Sequence, residues 1–187
     1  MRIIAGSYRS RSLEAPPGLA TRPTSDRLRE TLFNVLASRI AGAAFLDLYA
    51  GSGAVGIEAI SRGAASVEFV ERAPAALKVL RANLGRLGLS EGFRINSSNV
   101  KTALQRMNPA ARFDLIFLDP PYDAAAEYES TLGMLGVPAS NLLAADALVI
   151  AEHRKKERLE DRCGKLMRTR LLEQGDAALS FYAAAAE

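Results

Sequence analysis

The stretch "LDLYAGSGAVG", residues 46–56, decides how the rest of the chain is read. An apolar run carries a carboxylate, Asp47, and then Gly51, Gly53 and Gly56 at G-x-G-x-x-G spacing. A buried strand that ends in such a loop and passes into a helix is suited to hold a ligand. Glycines allow a tight turn and close backbone approach, and the helix start offers free N–H groups. About 20 residues on, "SVEFVE" ends in Glu71, where an acid can accept hydrogen bonds from both ribose hydroxyls of a nucleoside. A dinucleotide and S-adenosylmethionine both suit a glycine loop. Asp47 favours the second, because a carboxylate there repels a pyrophosphate and attracts the ammonium of a methionine group. The purely structural readings are a loop-capping carboxylate for Asp47 and a solvated strand end for Glu71.

Outward from this loop, strands and helices alternate. "AAFLDLY" reads as a first buried strand and "AVGIEAISR" as a helix closed near Gly63. "SVEFVE" is a second strand. Pro74 suits the first turn of "PAALKVLRANLGRLG", which carries Leu77, Leu80, Leu84 and Leu87 on one stripe and stops at Gly88. "FRIN" and "FDLIFL" read as strands three and four, "EYESTLGML" as a helix and "ALVIAEH" as strand five. The tail "KLMRTRLLEQGDAALSFYAA" holds two strands around Gly175-Asp176, a hairpin signal. Upstream, "SDRLRETLFNVLASRI" is helical, capped by Thr24, Ser25 or Asp26. The expectation is an α/β fold: a mostly parallel seven-stranded sheet with helices on both faces and a C-terminal antiparallel hairpin. "EAPPGLATRPT" separates a short N-terminal arm, residues 1–23, from the main domain, residues 24–187.

In such sheets ligands bind beyond the carboxyl ends of the strands. A second motif, "LDPPY" at 118–122, lies at the end of strand four and so on the same rim. An exocyclic amine on a base is a poor nucleophile, because its lone pair is delocalised into the ring. The Asp119 carboxylate and the Pro120 carbonyl can accept its hydrogens, the prolines fix the backbone, and Tyr122 offers a flat face for an extruded base. Guanine N2 and adenine N6 suit this arrangement alike. An Asp-Pro-Pro-Tyr turn with no catalytic role is the structural alternative.

Composition narrows the class. The 187 residues are 49% hydrophobic and 24% charged, ordinary for one soluble domain. No apolar run approaches the roughly 20 residues that span a bilayer. "MRIIAGSYRSRS" lacks the apolar core of a signal peptide. One cysteine, Cys163, and one histidine, His153, argue against a disulfide framework, a zinc site or a histidine triad. These features point to the cytoplasm. Net charge is +3, and residues 1–40 carry seven arginines against three acids. Arginine grips phosphate with a bidentate fork, so this stretch reads as a polyanion-facing patch, or else as a solvated surface.

"DLYAGSGAVGIEA", "FVE" and "LDPPY", in that order, resemble the Rossmann-like S-adenosylmethionine methyltransferases that act on exocyclic amines. With "IIAGSYRSRSLEAPPG" and "RPTSDRLRETLFNVL", nearly the whole chain resembles the RsmD-type family, which methylates guanine N2 in 16S ribosomal RNA. The resemblance implies a Rossmann-like methyltransferase fold and S-adenosylmethionine as cofactor, with no metal. It implies 16S RNA, within an assembled or partly assembled small subunit, as partner of a monomer. By it, Asp47, Tyr49, Gly51, Ser52, Gly53, Glu71, Arg72, Ser98 and Asn99 hold the cofactor. Asp119, Pro120 and Tyr122 hold the amine. Arg9, Arg11, Arg22, Thr24 and Arg27 meet RNA. Rival readings are an adenine-N6 methyltransferase, an RNA-binding assembly factor on the same scaffold, and an NAD-linked reductase. The charge run "HRKKERLEDR", 153–162, reads as a solvated helix face or an extra phosphate contact. His153 reads as structural. Tyr8 reads either as a stacking ring for RNA or as packing of the arm.

Overall fold

The structure, a computed structural model, describes residues 1–15, 25–121, 125–137 and 140–185. Its elements run α1 (Asp26–Val35), β1 (Ala44–Leu48), α2 (Ala54–Ser61), β2 (Ser66–Val70), α3 (Pro74–Arg86), β3 (Phe93–Asn96), α4 (Val100–Arg106), β4 (Phe113–Leu118), α5 (Ala125–Gly136), β5 (Leu143–Arg154), β6 (Arg162–Cys163), β7 (Leu166–Gln174) and β8 (Ala177–Ala184). The strands form one sheet in the order β3-β2-β1-β4-β5-β8-β7-β6. The pairs from β3 to β5 are parallel, and β8, β7 and β6 add on antiparallel. The sheet reverses its winding between β1 and β4, so a crevice opens at their carboxyl ends.

Side chains alternate across each strand, and the two faces bury different helices. Phe45, Phe69, Leu115, Phe117 and Ile150 pack against α1, α2 and α3. Leu46, Leu48, Ile116, Leu118 and Val149 pack against α4 and α5. Both faces are covered, which is why β1 and β4 read as near-continuous apolar runs.

All seven expected strands are present, and the two-residue β6 makes the sheet eight-stranded. β6 is too short to leave a periodic signal; it forms where Arg162 and Cys163 pair with Met167 and Leu166. The helix over 25–40 is shorter than its pattern suggests. Ser25 caps it by accepting from the Leu28 amide at 3.1 Å, and it ends at Val35, followed by turns to Gly42. The charge run 153–162 is not helical, which corrects the helix-face reading. It is the end of β5, a turn and a stretch without regular secondary structure that leads into β6. The Lys155 amide donates to the Asp176 carbonyl at 2.8 Å and Tyr182 Oη donates to the Glu160 carbonyl at 2.9 Å. These bonds tie the run to the β7–β8 turn and to β8, so the backbone satisfies itself without a helix.

The described part of the arm, residues 1–15, is docked rather than free. Arg2 and Ser12 form an antiparallel bridge, and Ile3 and Leu13 are buried in the core on the α1–α3 side. Glu58 on α2, fully buried, accepts from the Ile4 and Ala5 amides at 2.8 and 3.0 Å and from Arg62 Nε at 2.7 Å. Arg29, equally buried on α1, lies 3.8 Å from Glu58, bonds Asp26 at 3.0 Å and donates to the Arg2 carbonyl. A buried charge without partners is strongly unfavourable, so this network fixes where α1, α2 and the arm meet. Tyr8 is partly buried against the same core, which favours the packing reading for it. Among the described residues no helix is long and apolar enough to cross a membrane.

Candidate active site

The glycine loop joins β1 to α2. Gly51 and Gly53 have φ of 57° and 81°, so the turn needs residues that tolerate the left-handed region. Tyr49 adopts it too, at φ 63°, although it is not a glycine. Such strain is held only where surroundings over-determine it. Here the Tyr49 hydroxyl donates to Glu127 at 2.8 Å and shares a hydrogen bond with Thr131 at 2.9 Å, pinning the loop to α5. Burial, with Glu127 beside it, lifts the phenol well above its usual range, so it stays a neutral donor. Gly56 lets α2 approach the sheet: a Cβ there would lie 2.3 Å from the Phe69 ring.

Asp47 is 2% exposed and accepts the Gly56 amide at 2.8 Å, one of the free N–H groups in the first turn of α2. Burial pushes its carboxyl up to about 7; the Gly56 bond opposes the rise and Glu71 adds to it. Glu71 spans from the end of β2 to the loop. One oxygen accepts from Gly51 at 2.8 Å, and the other from Arg72 and Ala73 at 2.8 and 2.7 Å. A carboxylate offers about four acceptor sites, so three backbone donors leave room for one more. Ser52 is buried, and its carbonyl accepts from the side chain of Asn83 at 3.0 Å.

Ser98 donates to Asn96 at 2.7 Å, and Asn99 caps α4 by accepting from Thr102 at 2.8 Å. A cavity of about 420 Å³ lies beside this cap, lined by Arg72, Asn99, Val100, Lys101, Ala126, Glu127 and Ser130. Arg72 and Asn99, expected near a nucleoside, therefore share one cavity with the residue that anchors Tyr49. On the next strand, Asp119 and the buried Pro120 follow the end of β4. Asp119 is partly buried, and its carboxyl lies well above the usual range through burial first, then Glu152, then Asp47. Tyr122 lies outside the described residues.

Among the RNA-facing candidates, Arg9, Arg11 and Arg27 are exposed, while Arg22 and Thr24 lie outside the described residues. Ser7 and Tyr8 bond to Ser61, at the far end of α2. The arm tip that carries Arg9 is thus one eight-residue helix, ~12 Å, from the glycine loop. The other end of the arm returns to the site. Fully buried Asn83 accepts from the Glu14 amide at 2.9 Å and donates to the Glu14 and Ser52 carbonyls at 3.1 and 3.0 Å. Sequence reasoning missed Asn83, Glu58 and Glu152. Glu152 alone left a signal: it ends the apolar run of "ALVIAEH" as Glu71 ends "SVEFVE".

A glycine loop after β1, an acid after β2 and an Asp-Pro-Pro turn after β4, on one rim of this sheet, define a Rossmann-like methyltransferase. Over residues 1–183 the chain matches the family described as "Conserved hypothetical protein 95", and it belongs to that family. The "Ribosomal RNA small subunit methyltransferase D" of Escherichia coli K12 is 39% identical over 152 residues, covering 81% of this chain and 74% of its own. The Haemophilus influenzae protein of the same name is 38% identical over 161 residues, covering 85% and 81%. A solved Escherichia coli structure, yhhF, described as a candidate methyltransferase, matches with TM-score 0.86 at 34% identity, covering 100% of this chain and 99% of that one.

Proposed function

We propose that this protein transfers a methyl group from S-adenosylmethionine to the exocyclic N2 amine of a guanine in 16S ribosomal RNA. We place it in the cytoplasm, as a monomer acting on an assembled or partly assembled small subunit. The observation that carries the reading is Asp119-Pro120 at the end of β4, immediately beside the glycine loop at the end of β1.

The residues present fit the cofactor. Asp47 is a buried carboxylate held by one backbone N–H, and a cationic ammonium nearby would stabilise its charged form. Glu71 keeps an acceptor site for a ribose hydroxyl, and the cavity bounded by Arg72 and Asn99 can take the adenine. When bound, the cofactor supplies an electrophilic methyl on a positively charged sulfur. The chain's own groups do the rest. Asp119 and the Pro120 carbonyl accept the amine's hydrogens and aim its lone pair, and Tyr122 stacks on the base. Little strong acid–base chemistry is required, so positioning and electrostatics supply most of the effect. Arg9, Arg11, Arg22, Thr24 and Arg27 contribute phosphate contacts. No metal enters this reading.

Adenine N6 presents the same amine to the same acceptors. Guanine is favoured by the family resemblance, and ribosomal RNA by kinship to proteins named for small-subunit RNA. An assembly factor without activity would have no need of Asp119. Asp119→Asn should therefore lower methyl transfer to small subunits at least 100-fold while cofactor affinity, read by calorimetry, changes less than threefold. Full activity in the variant would sink the assignment.

A further inference from the structure

We propose that Glu152 is a positioning residue for the transfer step: beside Asp119 on the neighbouring strand, it keeps Asp119 ready to take the proton the base amine must lose. The inference rests on the amine-methylation reading above and deepens it.

The sheet order places β4 between β1 and β5. Leu118 pairs with Ala151, so Asp119 and Glu152 are the next residues along two adjacent strands. Phe117 and Ile150 belong to the core under α1–α3, Leu118 and Ala151 to or beside the core under α4 and α5. Continuing that alternation puts Asp119 and Glu152 on the α1–α3 face. Asp47, two residues after Phe45, projects to the same face from β1. Asp119 is therefore flanked by a carboxylate on each side, and both neighbours are 2% exposed. Glu152 is held in place: Tyr128 Oη donates to its carbonyl at 2.8 Å, and it pairs with Leu179 on β8.

Among the described residues, two other titratable groups near this rim are engaged elsewhere. Glu71 bears on Asp47 and is engaged by three backbone amides. His153 turns to the opposite face, where its ring bonds Ser180 at 2.9 Å and the Arg154 carbonyl at 2.9 Å. Two carboxylates sharing a low-dielectric site cannot both ionise easily, and one is driven upward. The upward displacement of Asp119 by burial, Glu152 and Asp47 agrees with this geometry.

The transfer, though it asks for little strong acid–base chemistry, still releases one proton. The amine nitrogen forms an N–C bond as the C–S bond breaks and leaves its electron pair on sulfur. The nitrogen then carries positive charge. One N–H bond breaks, its electron pair stays on nitrogen, and the proton passes to an Asp119 oxygen. Asp119 becomes a neutral acid and later releases the proton to water. A carboxylate raised by its neighbours is the better acceptor, provided it is ionised when the base arrives. The acid limb of the rate profile then reports the charge on Glu152.

The test compares wild type, Glu152→Gln and Glu152→Asp at saturating substrates across pH 5–8.5. In Glu152→Gln the acid limb of kcat should move down by about one pH unit, with a lower plateau. Glu152→Asp keeps the charge and should restore the limb. A limb in Glu152→Gln that stays put or moves up would overturn the proposal, as would equal movement in both variants. A readout without turnover runs alongside: carbon-13 aspartate labelling follows the Asp119 carboxyl, assigned by its loss in Asp119→Asn. Its midpoint should fall in Glu152→Gln. Should neither Glu152 variant fold, a wild-type Asp119 midpoint in the ordinary carboxylate range would refute the proposal. Wild type that methylates no base amine refutes the functional reading instead, and the carboxyl titration still decides the role of Glu152.

Discussion

Asp47→Asn separates stability from function at the glycine loop. Asn keeps an oxygen that can accept the Gly56 amide, at 2.8 Å in the wild type, but carries no charge. The wild-type carboxyl is raised from 3.8 to about 7, chiefly by burial. A carboxyl with a raised folded value holds a proton that the unfolded chain has lost. The contribution of Asp47 to wild-type stability is therefore highest below pH 4, falls as pH rises to 7, and levels off above. Every pH unit crossed between those two values costs about 1.4 kcal/mol, so Asp47 costs on the order of 4 kcal/mol at pH 8, where it is ionised, and roughly 1.5 kcal/mol at pH 5, where the fold keeps it protonated. The variant escapes this cost. Chemical denaturation without cofactor should show its advantage over wild type growing by about 3 kcal/mol between pH 5 and pH 8. Cofactor affinity should fall at least tenfold, because the ammonium loses its counter-charge. A stability difference that is independent of pH, or a variant less stable at pH 8, would refute the reasoning.

Three further outcomes are expected. Gly56→Ala would put a Cβ 2.3 Å from the Phe69 ring and 2.9 Å from Val67, so denaturation should show a loss of about 1–3 kcal/mol; a neutral result would mean α2 moves freely on the sheet. Asn83→Ala strips a buried partner from Glu14 and Ser52, so stability should drop by about 1–3 kcal/mol and the arm should become protease-sensitive; unchanged protection would show that the arm docks without it. His153 is held below the usual imidazole value, first by burial. The unfolded chain then protonates near pH 6.5 while the fold resists, so this contribution to stability is complete above that pH and lost as pH falls. As the protein's only histidine, it gives a single imidazole titration by NMR, and a midpoint at or above the usual value would contradict the burial argument.

The parts of this protein that were legible in its sequence are local. "LDLYAGSGAVG" encodes strand, turn and helix within 11 residues, and Pro74, Gly88 and Gly175-Asp176 mark boundaries where the chain must change direction. α4 went unseen because it has seven residues, and its start signal, Asn99, also suited an adenine contact. The run 153–162 resembled a helix because its charges are dense, yet its backbone is held by Asp176 and Tyr182. Long-range pairs left no trace: Glu58 meets Ile4 across 54 positions and Asn83 meets Glu14 across 69. Those pairs dock the arm, so how its arginines sit relative to the site is a tertiary fact. The sequence reads Glu71 as a ribose acceptor; the structure shows that it ties β2 to the loop through Gly51.

The most direct test of the proposed reaction is to incubate the protein with labelled S-adenosylmethionine and small ribosomal subunits lacking the modification, then digest the RNA to nucleosides. Label should appear in N2-methylguanosine, from one site in 16S RNA, and should be lost in Asp119→Asn. Label in N6-methyladenosine, or none in RNA from subunits or free 16S transcripts, would contradict the reaction proposed for this site.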